Sequence, residues 1–148
     1  MKADITVYSK DEKPQLIIEI KRQAGVSAEW AAKIRRNLLV HGGIQPTPFF
    51  LLVSSDYLYL WKDATSFDVI AADYQIETAK VLSPYIKQTS LKLEEMSEYS
   101  LEMVVMLWLN DIIRPRPDST ANGSDVAWLY ESRLYKAIRD GAIMTEVA

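Results

Sequence analysis

Three charged side chains near the start of the chain, those of Asp4, Glu19 and Lys21, could together form a small site for a divalent cation. Carboxylate oxygens are hard ligands of the kind that Mg²⁺ and Mn²⁺ prefer. Two close carboxylates repel each other, and a cation between them removes that repulsion. The alternative is an exposed strand on which Glu19 and Lys21 form a solvated ion pair, with Asp4 as a frayed terminal residue.

A β-hairpin would bring these three side chains together. Residues 5–8 and 15–21 are rich in β-branched and apolar residues, and the stretch between them is turn-like. If the turn lies midway, the numbers of opposed residues sum to 23, so Asp4 lies opposite Glu19 with Cβ atoms roughly 5 Å apart. Lys21 joins the same face because side chains alternate along a strand. The second strand is otherwise apolar, which favours burial on both faces.

The rest of the chain predicts one domain of mixed α/β (α+β) class. Residues 1–90 form the α/β core, and residues 91–148 form a helical C-terminal extension, packed on the same domain or in a dimer interface. Pro, Ser, Gly and Asn mark residues 114–124 as a linker. Helices are expected over 28–41, 80–87, 92–113 and 126–140, and strands over 49–53 and 57–61, with a short edge strand within 66–78.

Capping residues define several of these helices. Ser27 is the expected N-cap of helix 28–41, and Gly42-Gly43 ends it, with one glycine in the left-handed conformation. His41, the only histidine, is interpreted as a helix-end residue. Ser124 or Asp125 is expected to cap helix 126–140.

Two apolar surfaces need a cover. The aromatic face of strand 57–61 could stack nucleobases, but packing against a helix is the favoured interpretation. Helix 92–113 carries an apolar stripe that either the sheet or a second copy of the protein covers, and we expect a homodimer. The stripe consists of Leu101, Val104, Val105, Trp108 and Ile112.

Composition excludes several classes of protein. The chain of 148 residues has no cysteine, which rules out disulfides and thiolate metal sites. No segment is apolar enough to cross a membrane and the start shows no signal architecture, so we expect a cytoplasmic protein without membrane contact. The net charge of −3 argues against a strongly basic nucleic-acid binder. Residues 21–36, however, contain five basic residues and one acidic residue, a local patch of +4.

The hairpin resembles the core of the PD-(D/E)xK nuclease superfamily, the restriction-endonuclease-like fold. Asp4 stands where the first acid of that family stands, and Glu19-Ile20-Lys21 matches its E-x-K motif. The downstream segments AEWAAKIRRNLLVHG and FFLLVSSDYLYLWK are similar to nuclease-like domains of restriction-modification systems. In the family a helix and a strand precede the first acid. Here three residues precede it, so we expect a fragment, a start further upstream or a fold without that element.

The resemblance implies a metal-dependent nuclease that hydrolyses phosphodiester bonds of DNA. Asp4, Glu19 and the backbone carbonyl of Ile20 would bind Mg²⁺ or Mn²⁺, and Lys21 would orient the attacking water. The alternatives are a nuclease-like module that binds nucleic acid or protein without cutting, and a purely structural interaction domain. The residues expected to hold the DNA backbone are Gln23, Lys33 and Arg36, with Arg35 as a weaker candidate.

Overall fold

The fold is a mixed six-stranded sheet with helices packed on it, which confirms the predicted α/β class. The computed structural model describes residues 3–42, 44–63, 66–114 and 126–145. The strands are β1 (Ile5–Tyr8), β2 (Pro14–Ile20), β3 (Phe49–Val53), β4 (Tyr57–Lys62), β5 (Tyr74–Glu77) and β6 (Ala142–Thr145), in the order β5-β4-β3-β2-β1-β6. The helices are α1 (Ala28–His41), α2 (Thr78–Ile86), α3 (Glu98–Ile113), α4 (Ala127–Glu131) and α5 (Leu134–Ile138), with a 3₁₀ turn at Leu93–Glu95.

The first hairpin has the predicted register. Ile5 pairs with Ile18 and Val7 with Leu16, so the numbers of opposed residues sum to 23. The register shifts by one residue next to the turn, where Tyr8 opposes Pro14. This shift lies at the far end of the hairpin from Asp4 and leaves the pairing that positions the acid unchanged.

Helix α1 connects two parallel strands, β2 and β3, and covers one face of the sheet. Its predicted N-cap is confirmed, because the Ser27 hydroxyl accepts a hydrogen bond from the N–H of Trp30 at 3.1 Å. Its predicted end is also confirmed, because the helix stops at His41 with Gly42 as its C-cap. Gly42 is right-handed, with φ of −88°, so it is not the expected left-handed glycine. Gly43 lies outside the described residues.

The sheet separates two cores. The smaller core lies between α1 and one face, and it buries the aromatic side of β4, including Tyr59 and Trp61. This confirms the preferred interpretation of that aromatic face, which packs against a helix. The larger core lies on the other face and joins β1–β4 to α2, α3, α4 and α5.

The outer face of α3 differs from its inner face. The predicted apolar stripe, from Leu101 to Ile112, is buried in the larger core of this chain, so the sheet covers it rather than a second copy. Three large apolar side chains of the helix remain exposed: Tyr99, Met103 and Leu107.

Two helix predictions near the C-terminus are wrong. The helix expected over 92–113 begins at Glu98, because Ser97 provides the N-cap after a separate 3₁₀ turn. The helix expected over 126–140 is broken at Arg133, whose φ is +69°, and strand β6 follows instead of a helical end. The linker beyond residue 114 and the expected caps Ser124 and Asp125 lie outside the described residues.

Among the residues that the structure describes, none of the helices has the length and apolar character needed to cross a membrane.

Candidate metal site at the end of the first hairpin

Asp4 and Glu19 are held side by side by two reciprocal hydrogen bonds. The Ile20 N–H donates to Asp4 Oδ2 at 2.8 Å, and the Asp4 N–H donates to Glu19 Oε1 at 3.3 Å. Each carboxylate therefore accepts from the backbone of the opposite strand. The hydrogen bonds fix both side chains at the end of the hairpin where β1 begins and β2 ends.

Glu19 is almost completely buried, with 2% of its surface exposed. Its pKa is raised to about 8, mainly by burial and then by the charge of Asp4 and a hydrogen bond with the Asp4 side chain. The positive charge of Lys21 acts in the opposite direction. At neutral pH Glu19 consequently holds a proton beside Asp4, and a divalent cation could replace that proton.

Lys21 is half-buried directly after β2. Its N–H donates to the carbonyl of Val53 at 2.9 Å, which extends the pairing of β2 with β3 by one residue. Its backbone is thus fixed while its side chain lies close enough to Glu19 to lower the pKa of that carboxyl. The structure brings together all three charged residues that the sequence singled out.

The donor set fits one kind of metal ion better than others. The described residues contain no group of three or more His, Cys, Asp or Glu side chains placed to hold a metal. Two carboxylates suffice for Mg²⁺, which keeps several waters and uses substrate oxygens as further ligands, but they fall short of the protein ligands that Ca²⁺ usually takes. The Ile20 carbonyl lies on the same edge of β2 as the N–H that binds Asp4, so it is a reasonable third oxygen.

Helix α3 adds carboxylates beside this site that sequence analysis missed. Glu98 Oε1 accepts a hydrogen bond from the N–H of Arg22 at 3.4 Å, which places the first turn of α3 at the end of β2. One turn later, the pKa of Glu102 is raised by burial and by the charge of Asp4. The two glutamates are four residues apart, so the sequence places them on one face of the helix. Only the tertiary packing shows that this face lies beside the end of β2.

The predicted DNA-contacting residues differ in their surroundings. Gln23 is exposed, Arg36 is half-buried, and Lys33 forms an exposed ion pair with Glu29 at 3.1 Å. Arg35, the weaker candidate, is buried beneath α1 and is not on the surface. His41 is exposed at the end of α1, in keeping with its interpretation as a helix-end residue.

A surface cleft of about 280 Å³ lies next to the end of β2. Its lining mixes one cation with two acids and small or apolar groups, so it does not select for a polyanion by charge alone. The lining residues are Arg22, Ala24, Ser55, Asp56, Leu93 and Glu94.

Comparison with known proteins adds no relative to these observations. The chain matches no protein-family model, no curated protein and no solved structure.

Proposed function

We propose that this chain is a metal-dependent nuclease that hydrolyses phosphodiester bonds of DNA, with Mg²⁺ or Mn²⁺ at the end of the first hairpin. The observation that carries the proposal is the burial of Glu19 directly against a second carboxylate, Asp4. Burying Glu19 beside a half-buried acid is costly for a structural role, because both burial and the like charge disfavour its ionisation. Strongly shifted carboxyl groups of this kind are concentrated at functional sites.

The roles of the side chains follow from their chemistry. Asp4 and Glu19, with the Ile20 carbonyl, would bind the cation, and the reciprocal hydrogen bonds would hold the carboxylates in place before it arrives. The cation would supply polarisation of a phosphodiester oxygen and a lower pKa for a coordinated water. Lys21 would orient the attacking water and stabilise the negative charge that develops on the phosphate.

A non-cutting module that binds nucleic acid or protein is the second candidate. It is favoured by the acidic surroundings of the site, since Glu98 and Glu102 approach from α3 and would repel a phosphate backbone. In this case Asp4 and Glu19 would bind a cation, or share a proton, without a hydrolytic step.

The decisive experiment measures metal binding and cleavage separately. Mn²⁺ binding is followed by calorimetry, and nicking of supercoiled plasmid is followed with Mn²⁺ or with a chelator. Glu19→Gln is expected to lose both, because it removes a ligand. Lys21→Ala is expected to bind Mn²⁺ within about threefold of the unchanged protein and to nick at least about 100-fold more slowly.

Two exposed residues provide matched controls. Lys10→Ala and Glu131→Gln make the same chemical changes away from the site and should leave binding and nicking unchanged. Equal nicking by Lys21→Ala would refute the catalytic role. Retention of DNA that needs no metal, weakens with salt and is never followed by cleavage would favour the binding module.

A further inference from the structure

The two edge strands of the sheet, β5 and β6, are protected to different degrees against pairing with a strand of another chain. Strand β5 carries Gln75 and Glu77, and Glu77 forms an ion pair with Lys80 at 3.2 Å. Strand β6 has the sequence AIMT, with no charge and no proline, and 58% of the Met144 surface is exposed. Natural proteins usually protect an edge strand with charges, prolines or bulges, because its free backbone groups pair readily with another strand. By this criterion β5 is protected and β6 is open.

The backbone of β6 is paired on one side only within the described part of the chain. All four residues pair antiparallel with β1, from Thr145 opposite Ile5 to Ala142 opposite Tyr8. Because β6 ends the strand order, its other edge presents N–H and carbonyl groups that no strand of the described residues pairs with. An added strand would satisfy those groups through regular ladder hydrogen bonds.

We propose that β6 pairs antiparallel with β6 of a second copy of this chain, across a two-fold axis, so that the two six-stranded sheets become continuous. Charge compatibility favours a second copy as the occupant. Like charges in directly opposed positions destabilise a strand pair, and two copies of AIMT contain none. The same pairing at β5 would bring two copies of Glu77 to one short interface.

Symmetry restricts the register of this pair. Opposed residues share a face, so the numbers of two opposed residues must both be odd or both be even. Either Ile143 lies opposite the partner's Ile143, or Met144 lies opposite the partner's Met144. Both registers bury part of the apolar side chains of Ile143 and Met144 at the edge of the sheet. A four-residue strand gives a small interface, so we expect a weak dimer, with Kd on the order of 10–100 μM.

The first test measures mass in solution by light scattering and sedimentation between about 5 and 300 μM, the range that brackets the expected Kd. The unchanged protein should shift from monomer to dimer, and Met144→Lys should raise the Kd at least about tenfold by placing repelling charges at the border. Met103→Lys is the matched control: it also replaces an exposed methionine, 43% exposed on α3, and should leave the Kd unchanged.

A second test uses the absence of cysteine from the sequence. Ile143→Cys and Met144→Cys each introduce a single thiol, and a short bismaleimide should crosslink at least one of them into dimers, whereas Met103→Cys should stay monomeric. A monomer at every concentration, loss of the dimer in Met103→Lys alone, or crosslinking confined to Met103→Cys would overturn the proposal. None of these measurements involves metal or DNA, so they do not depend on the proposed nuclease activity.

Discussion

Glu19 and Arg35 are both buried on the α1 side of the sheet, each with 2% exposure, but the acidic neighbour of each has the opposite effect on its charged form. Around Glu19, burial and the neighbouring Asp4 both disfavour the charged form. Around Arg35, burial lowers the pKa while Asp73 raises it, so the protein partly compensates for burying this charge. Arg35 is therefore a buried charge that a neighbouring acid stabilises, whereas Glu19 is a buried acid that its acidic neighbour helps to keep protonated.

Contacts explain why Arg35 belongs to the structure. Its guanidinium carbon lies 5.7 Å from the centre of the Trp61 ring, and its Nη2 donates to the Ser66 carbonyl at 3.1 Å. Both contacts lie on the α1 face of the sheet and join this helix to β4 and to the segment between β4 and β5. Arg35 therefore stabilises the packing of the helix that follows the candidate site.

Replacing Arg35 should have the largest effect on stability. Arg35→Ala removes packing against Trp61 and the hydrogen bond to Ser66, so we expect the free energy of unfolding to fall by about 3 kcal/mol in urea titrations. Arg36→Ala, at the adjacent half-buried position, should change it by less than about 1 kcal/mol. Equal effects of the two substitutions would show that Arg35 is not a structural residue.

The pH dependence of stability sharpens the same comparison for Glu19. The native carboxyl holds its proton up to about pH 8, whereas the unfolded chain releases it near 4.5. The raised pKa of Glu19 therefore adds to the free energy of unfolding at low pH. This contribution is fully present below pH 4.5 and is lost as the pH rises through 8. In chelator, the free energy of unfolding relative to Glu19→Gln should fall by at least about 2 kcal/mol between pH 5 and 8.

A pH-independent difference between the protein and Glu19→Gln would contradict the buried acid pair. Glu131→Gln serves as the control for an exposed carboxylate and should show no such trend.

Replacing Tyr59 should have the smallest effect on the free energy of unfolding. Its side chain is fully buried on the α1 face, and its hydroxyl has no hydrogen-bond partner among the described residues. Burial is also the main cause of its raised pKa. Tyr59→Phe should raise the free energy of unfolding by up to about 1 kcal/mol, because an unsatisfied hydroxyl costs free energy to bury. Half-buried Tyr57→Phe is the control, and a destabilised Tyr59→Phe would indicate a hidden partner.

Local patterns were enough to predict the parts of the fold that are close in sequence. The register of the first hairpin followed from its turn, and Ser27 marked the start of α1. The inward position of Arg35 also had a signal, because it shares the spacing of the buried residues Ala31 and Leu38. The arginine was assigned to the surface because its charge was given more weight than its position on the helix.

Long-range contacts account for what sequence analysis missed. Strand β6 is only four residues long, and its partner β1 lies at the other end of the chain, so no local pattern marks it. The left-handed backbone at Arg133 breaks a sequence whose apolar spacing suits a continuous helix. Glu102 became relevant only once α3 was packed beside Asp4.

The pairing of the sheet also bears on the order in which the molecule can assemble. The acids Asp4 and Glu19 meet through a short loop, whose closure costs little chain entropy and is fast. The other edge of β1 forms its hydrogen bonds only when β6, which is far away in sequence, pairs with it. Asp4 and Glu19, the proposed metal ligands, would thus meet early during folding. The edge strand β6, proposed for self-association, would pair last.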